Sequence, residues 1–160
     1  MIADPDTSSP PPIRAASRRR VARVAAVQTL YQAELTGKAI KAAAEDMRRH
    51  YLGQAVDDMS LVADRKFFDQ LIQAVEANGD KLIDLTQGAL ENRRLERMEL
   101  ILQSILVAGA GELLGVSEAP PKVTISEYVD IADDFFGHSE AALVNAALDR
   151  IARLVRPDEL

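Results

Sequence analysis

A helix drawn through residues 98–114 has almost no side that could face water. Leu100, Ile101, Leu102, Ile105, Leu106, Val107 and Leu113 cover nearly its whole circumference. A helix apolar all round has to be surrounded by other elements, so this stretch predicts a central buried helix to which the rest of the chain supplies a shell. Gly109 and Gly111 inside it each cost about 1 kcal/mol in helix propensity, and a neighbouring helix in close approach explains them best.

The flanking sequence reads as helices of the shell. The first is expected from the cap Ser17 to about Leu35, stopping at Gly37, with Val21, Val24, Val27, Leu30, Tyr31 and Leu35 on its core face. A second spans Ala39 to about Tyr51, where Arg48, Arg49 and His50 suit a helix C-terminus, and residues 53–59 read as a loop. Asp64 can cap a third helix through Phe67, Phe68, Leu71, Ile72 and Val75, ended at Asn78-Gly79. A short amphipathic helix follows over 80–90, using Leu82, Ile83 and Leu85. After Pro120-Pro121, Thr124 is the expected cap of the next helix, with Glu127 at the capping-box position and Tyr128, Ala132 and Phe135 on its apolar face. Gly137 ends it, and a last helix runs from about Ser139 to Val155 through Leu143, Ala147, Ile151 and Leu154. No stretch alternates with the period of a strand.

Low aromatic content, no Trp and abundant Ala and Leu agree with an all-α protein. With 160 residues it can bury a core in one domain, and the absence of Cys excludes disulfides and thiolate chemistry. The expected boundaries are a disordered tail over 1–16, with Pro10, Pro11 and Pro12 extended, one domain over 17–156, and a short tail over 157–160. No apolar run approaches the roughly 20 residues of a membrane span, and the start lacks a signal peptide's apolar segment. A cytoplasmic protein is expected.

Charge is distributed unevenly. The net charge is −6, yet residues 1–50 balance at +4 and residues 51–160 at −10. The basic excess concentrates in Arg18, Arg19, Arg20 and Arg23, with no acid among them. Arginines in an opening helical turn oppose the dipole and repel one another, and the sequence gives no sign of carboxylates placed to relieve them. A polyanion would relieve them, since the guanidinium fork binds phosphate bidentately and stacks on exposed bases. The bland alternative is a basic cap on a solvated helix, with room for contacts to acidic neighbours. Against catalysis, His50 and His138 have no orienting acid in register, adjacent Asp133 and Asp134 diverge on a helix, and no phosphate loop, zinc-binding helix or nucleophile elbow occurs. Neither an enzyme nor any cofactor or metal is expected.

Arg19-Arg20-x-x-Arg23 followed by Ala26-Val27-Gln28-x-Leu30-Tyr31 resembles the N-terminal signature of the NusB family of bacterial transcription antitermination factors. A second block supports the resemblance: Glu112-Leu113-Leu114, Pro121-Lys122-Val123-x-Ile125-x-Glu127, then Val144-Asn145 and Leu148-Asp149. It covers nearly everything except the tail. It implies a bundle of about seven helices in two packed helical subdomains, binding boxA-type single-stranded RNA of nascent ribosomal transcripts. The implied partners are NusE, a small-subunit ribosomal protein, and the RNA polymerase antitermination complex; a homodimer is also compatible with the family. By position, Arg19, Arg20 and Arg23 would meet phosphates, Arg18 would add a further contact, and Gln28 would be a polar contact.

Departures from the family pattern are Gly111, Ser126, Ser139, Ala142 and Leu143. Those at 142 and 143 remove one cation and one stacking platform from the implied RNA surface. An alternative reading is therefore a protein–protein scaffold of the same fold with weakened RNA binding. A third is a stand-alone relative of the NusB-like domain that precedes some ribosomal RNA methyltransferases, active only through a partner chain.

Overall fold

The computed structural model describes residues 11–52 and 63–160. Seven α-helices make up the described chain: α1 (Pro11–Thr36), α2 (Ile40–His50), α3 (Arg65–Ala77), α4 (Gly79–Leu90), α5 (Leu100–Gly115), α6 (Pro121–Phe135) and α7 (His138–Val155). No strand occurs among the described residues.

The apolar stretch forms α5 and lies at the centre, against α1, α3, α4, α6 and α7. Its glycines do admit close neighbours. A Cβ on Gly109 would meet Leu148 Cδ1 of α7 at 2.8 Å, and one on Gly111 would meet Val75 Cγ2 of α3 at 2.8 Å. Gly115 does the same against the Cβ of Ala74, also at 2.8 Å.

Two apolar clusters share α1. One gathers Leu106, Leu113, Tyr128, Leu148 and Ile151 from α5, α6 and α7 and takes Val27 and Leu30 from α1. The other gathers Phe67, Phe68, Leu71 and Met47 from α2 and α3 and takes Ala22, Ala25 and Ala26. Because α1 is packed from two sides, its buried surface extends beyond the single arc expected from its valines. Small alanines line the second contact, where they let helices approach closely.

Several boundaries differ from the sequence reading. Helix α1 begins at Pro11 rather than Ser17; proline is tolerated in a first turn because its missing N–H would have no intrahelical partner there. Pro11 and Pro12 are thus helical, while the rest of the expected tail before them, with Pro10, lies outside the described residues. So does the loop expected over 53–59. At the other end, Pro157–Glu159 form a short 3₁₀ turn, held by Arg156, whose Nε donates to Glu159 Oε2 at 2.8 Å. Helix α6 starts at Pro121, with Pro120 extended before it, so Thr124 lies inside the helix and is not its cap. Asp64 does cap α3, accepting from the Phe67 amide at 3.0 Å. Gly37 and Gly137 take positive φ, +76° and +109°, at the turns after α1 and α6. Leu35, Ile83, Phe135 and Leu154, expected on apolar faces, are exposed.

Candidate nucleic-acid interface

Arg18, Arg19, Arg20 and Arg23 project from one segment of α1 but meet very different surroundings. Residue 23 precedes Val27 by four and Leu30 by seven, which places it on the same stripe of the helix as two core residues. Its side chain is accordingly buried, 3% exposed. A buried guanidinium needs a buried anion, and α5 provides Glu112, which is fully buried. Arg23 donates from Nε to Glu112 Oε1 at 2.9 Å and from Nη2 to Oε2 at 2.8 Å. Thr124 Oγ1 donates to Oε2 at 2.9 Å and the Tyr128 hydroxyl to Oε1 at 3.0 Å. Four donors from two helices therefore saturate the carboxylate. Burial pulls the Arg23 pKa down, but the hydrogen bond and charge of Glu112, reinforced by Tyr128 and Glu127, outweigh it and leave the value raised. Burial, with the charge of Glu112, pushes the Tyr128 phenol well above 10.0.

The outer arginines are also paired. Arg20 donates from Nε to Glu127 Oε1 at 2.9 Å, and from Nη2 to Glu127 Oε2 at 3.1 Å and Asp130 Oδ2 at 2.9 Å. Its pKa is raised, chiefly by the Glu127 hydrogen bond. Arg19 Nη2 reaches Glu118 Oε1 at 3.4 Å, its Nε lies 4.0 Å from Asp64 Oδ2, and its guanidinium sits 5.0 Å from the centre of the Phe67 ring. The Arg23 guanidinium lies 4.8 Å from the same ring, so cation–π attraction adds to both. Arg18 is exposed and has no acid partner among the described residues. The expectation that no carboxylates relieve this cluster is therefore overturned. Glu112, Glu118, Glu127 and Asp130 come from parts of the chain some 90 to 110 residues away, a pairing invisible to local charge counting. Arg23 in particular is out of reach of an external phosphate, because its guanidinium is closed inside the bundle.

Gln28 is exposed but stands apart from the arginines. It opens onto a groove of about 940 Å³ lined also by Tyr31, Gln32, His50, Tyr51 and Phe135. Eight residues separate it from Arg20, roughly 12 Å along the helix axis.

Sequence reasoning passed over Glu112, Thr124, Glu127 and Asp130 as electrostatic partners. A signal existed for the first: a lone carboxylate in a helix apolar all round demands a buried cation. Among the described residues, no group of three or more His, Cys, Asp or Glu side chains could hold a metal ion, and no helix is long and apolar enough to cross a membrane.

Residues 20–153 match the NusB family model. The transcription antitermination protein NusB of Bradyrhizobium sp. (strain BTAi1) is 40% identical over 149 residues, covering 92% of this chain and 88% of that protein. That of Agrobacterium fabrum is 40% identical over 148 residues, covering 91% and 90%. Among solved structures, T. maritima NusB superposes with a TM-score of 0.71 at 27% identity, covering 88% of this chain and 94% of that one. A chain in a crystal structure of a plectonemic RNA supercoil gives 0.72 at 17% identity, a likeness of fold alone.

Proposed function

The chain belongs to the NusB family, and from that premise we propose that it is a non-catalytic transcription antitermination factor. It binds boxA-type single-stranded RNA of nascent ribosomal transcripts together with NusE, as part of the polymerase antitermination complex. The observation that supports an RNA role is the run Arg18, Arg19 and Arg20, three consecutive guanidinium groups of which none is buried. Arg18 has no acid partner among the described residues, and the Nη1 group of Arg20 donates to no protein acceptor among them. Phosphate contacts by such groups give affinity that falls with salt.

Burial of Arg23 decides which variant tests this reading. Replacing Arg23 would disturb the fold, so the informative variant is Arg18→Ala/Arg19→Ala/Arg20→Ala. Fluorescence anisotropy with a boxA-type oligonucleotide, with and without NusE at two salt concentrations, should show the parent protein's affinity falling with salt, more steeply when NusE is present. The triple variant should lose most of its affinity while its helix content stays intact. Equal affinity of the two proteins would remove these arginines from the interface.

The internal pairing of Arg19 and Arg20 favours a second reading, a scaffold of the same fold with weakened RNA binding. Recovery of NusE by a protein that binds no RNA at any salt would select it.

A further inference from the structure

Charges alternate from the interior of the bundle to its surface along one line. The buried Glu112 holds Arg23, and Arg23 Nη1 lies 3.7 Å from Glu127 Oε1. The same oxygen accepts from Arg20 Nε, and Arg20 in turn reaches Asp130. Side-chain exposure rises along this line, from 0% at Glu112 and 3% at Arg23 to 18% at Glu127, 45% at Arg20 and 52% at Asp130. The inner links cannot open without stranding a buried charge. The last one can, because both of its members face water.

The stereochemistry of Arg20 shows what that last link does. A guanidinium offers two bidentate edges, one through Nε and Nη2 and the other through Nη1 and Nη2. Glu127 fills the first edge completely. Asp130 takes the remaining Nη2 proton at 2.9 Å, and so occupies half of the second edge. An incoming phosphate can use that edge bidentately only if Asp130 lets go.

We propose that Asp130 is a specificity-determining residue that competes with RNA phosphate for Arg20, while Glu127 is the positioning residue that keeps the guanidinium in place. The inference rests on the RNA-binding reading given above. A weak polyanion contact that cannot grip the edge bidentately leaves Arg20 with Asp130, whereas a well-placed phosphate displaces the carboxylate. Intrinsic affinity is thereby reduced in exchange for selectivity.

The test is Asp130→Asn, compared with Asp84→Asn on α4, which changes net charge equally, and with Arg20→Ala and Arg20→Ala/Asp130→Asn. Single-stranded RNA binding is titrated across salt concentrations. Asp130→Asn is expected to bind about two- to fivefold tighter at low salt, the scale of an exposed ion pair. Its plot of log affinity against log salt should steepen by up to ~0.7, the contribution of one added phosphate contact on a single strand. Asp84→Asn should match the parent, and the gain should vanish in the Arg20→Ala background.

Unchanged or weaker binding by Asp130→Asn would overturn the proposal and make Asp130 a positioning residue or a bystander. A gain that persists without Arg20 would overturn it as well, leaving only long-range charge. Should the parent and every variant fail to bind RNA at low salt, the RNA-binding reading itself falls and the proposal with it. That outcome is recognisable because the parent and Arg20→Ala then coincide.

Discussion

Replacing Arg23 by Met tests whether the arginine motif of α1 is an external or an internal device. Methionine keeps much of the aliphatic stem and removes the charge. Two charge-assisted hydrogen bonds, at 2.9 and 2.8 Å, disappear, each worth roughly 1.5–3 kcal/mol. Glu112 stays buried with only Thr124 and Tyr128 as donors. Breaking one side of a buried pair costs about 3–5 kcal/mol, a large part of the ~5–15 kcal/mol that holds a domain together. With a urea m-value near ~2 kcal/mol per M, the unfolding midpoint followed by circular dichroism should fall by about 2 M. Adding Glu112→Met removes the stranded carboxylate. It also leaves the Thr124 and Tyr128 hydroxyls without an acceptor, so stability returns only in part. The double variant should nevertheless be no worse than either single one, a coupling of about 3 kcal/mol. A midpoint shift below ~0.5 M for Arg23→Met, about 1 kcal/mol, would refute the reasoning, as would losses that simply add. Either result would return Arg23 to the surface as a candidate phosphate ligand.

Tyr128 makes the fold sensitive to alkali. Its folded pKa is raised above the ordinary 10.0 by burial and by Glu112, so its contribution is complete below pH 10 and is lost as pH rises through the folded value. Chemical denaturation from pH 9 to 11 should show the parent losing stability more steeply than Tyr128→Phe, and parallel curves would contradict this. At Gly115, an alanine would gain about 1 kcal/mol in helix propensity but set its Cβ 2.8 Å from that of Ala74. Neither Cβ can rotate away, so α3 and α5 must separate. Gly115→Ala should be destabilised by about 1–3 kcal/mol in net terms, and a raised melting temperature would show that the helices are not in close contact there.

Elements set by local patterns were legible in the sequence. The all-round apolar run became α5, Asp64 capped α3, and Gly37 and Gly137 marked positive-φ turns, because each depends on residues within a few positions; Gly109 and Gly111 announced a close neighbour for α5, though not which helix supplies it. The pairings were not legible. Thr124 and Glu127 have the spacing of a capping box, yet Pro120-Pro121 already starts α6, which frees one side chain for Glu112 and the other for Arg20. Arg23 looked like a fourth member of a surface cluster because charge was counted along the chain. Its register with Val27 and Leu30 was the better guide, since periodicity reports burial and composition does not.

The same distinction alters what the arginine motif can contribute to polyanion binding. Four free arginines on a single strand would give a salt slope of roughly −2.8, at ~0.7 per phosphate. Arg23 is closed inside the bundle, and Arg19 and Arg20 already face Glu118, Glu127 and Asp130. Each phosphate that grips one of these two bidentately must release a carboxylate, whose charge then faces the RNA and offsets much of the gain. Arg18 alone adds a cation without displacing an acid among the described residues, so the isolated protein's slope should lie nearer −0.7 than −2.8. A second polypeptide that contributes its own cations would restore the missing steepness, because its phosphate contacts would not have to displace carboxylates of this chain. Titrations with and without NusE distinguish the two cases: a steep slope for the protein alone would mean that the carboxylates offer little competition.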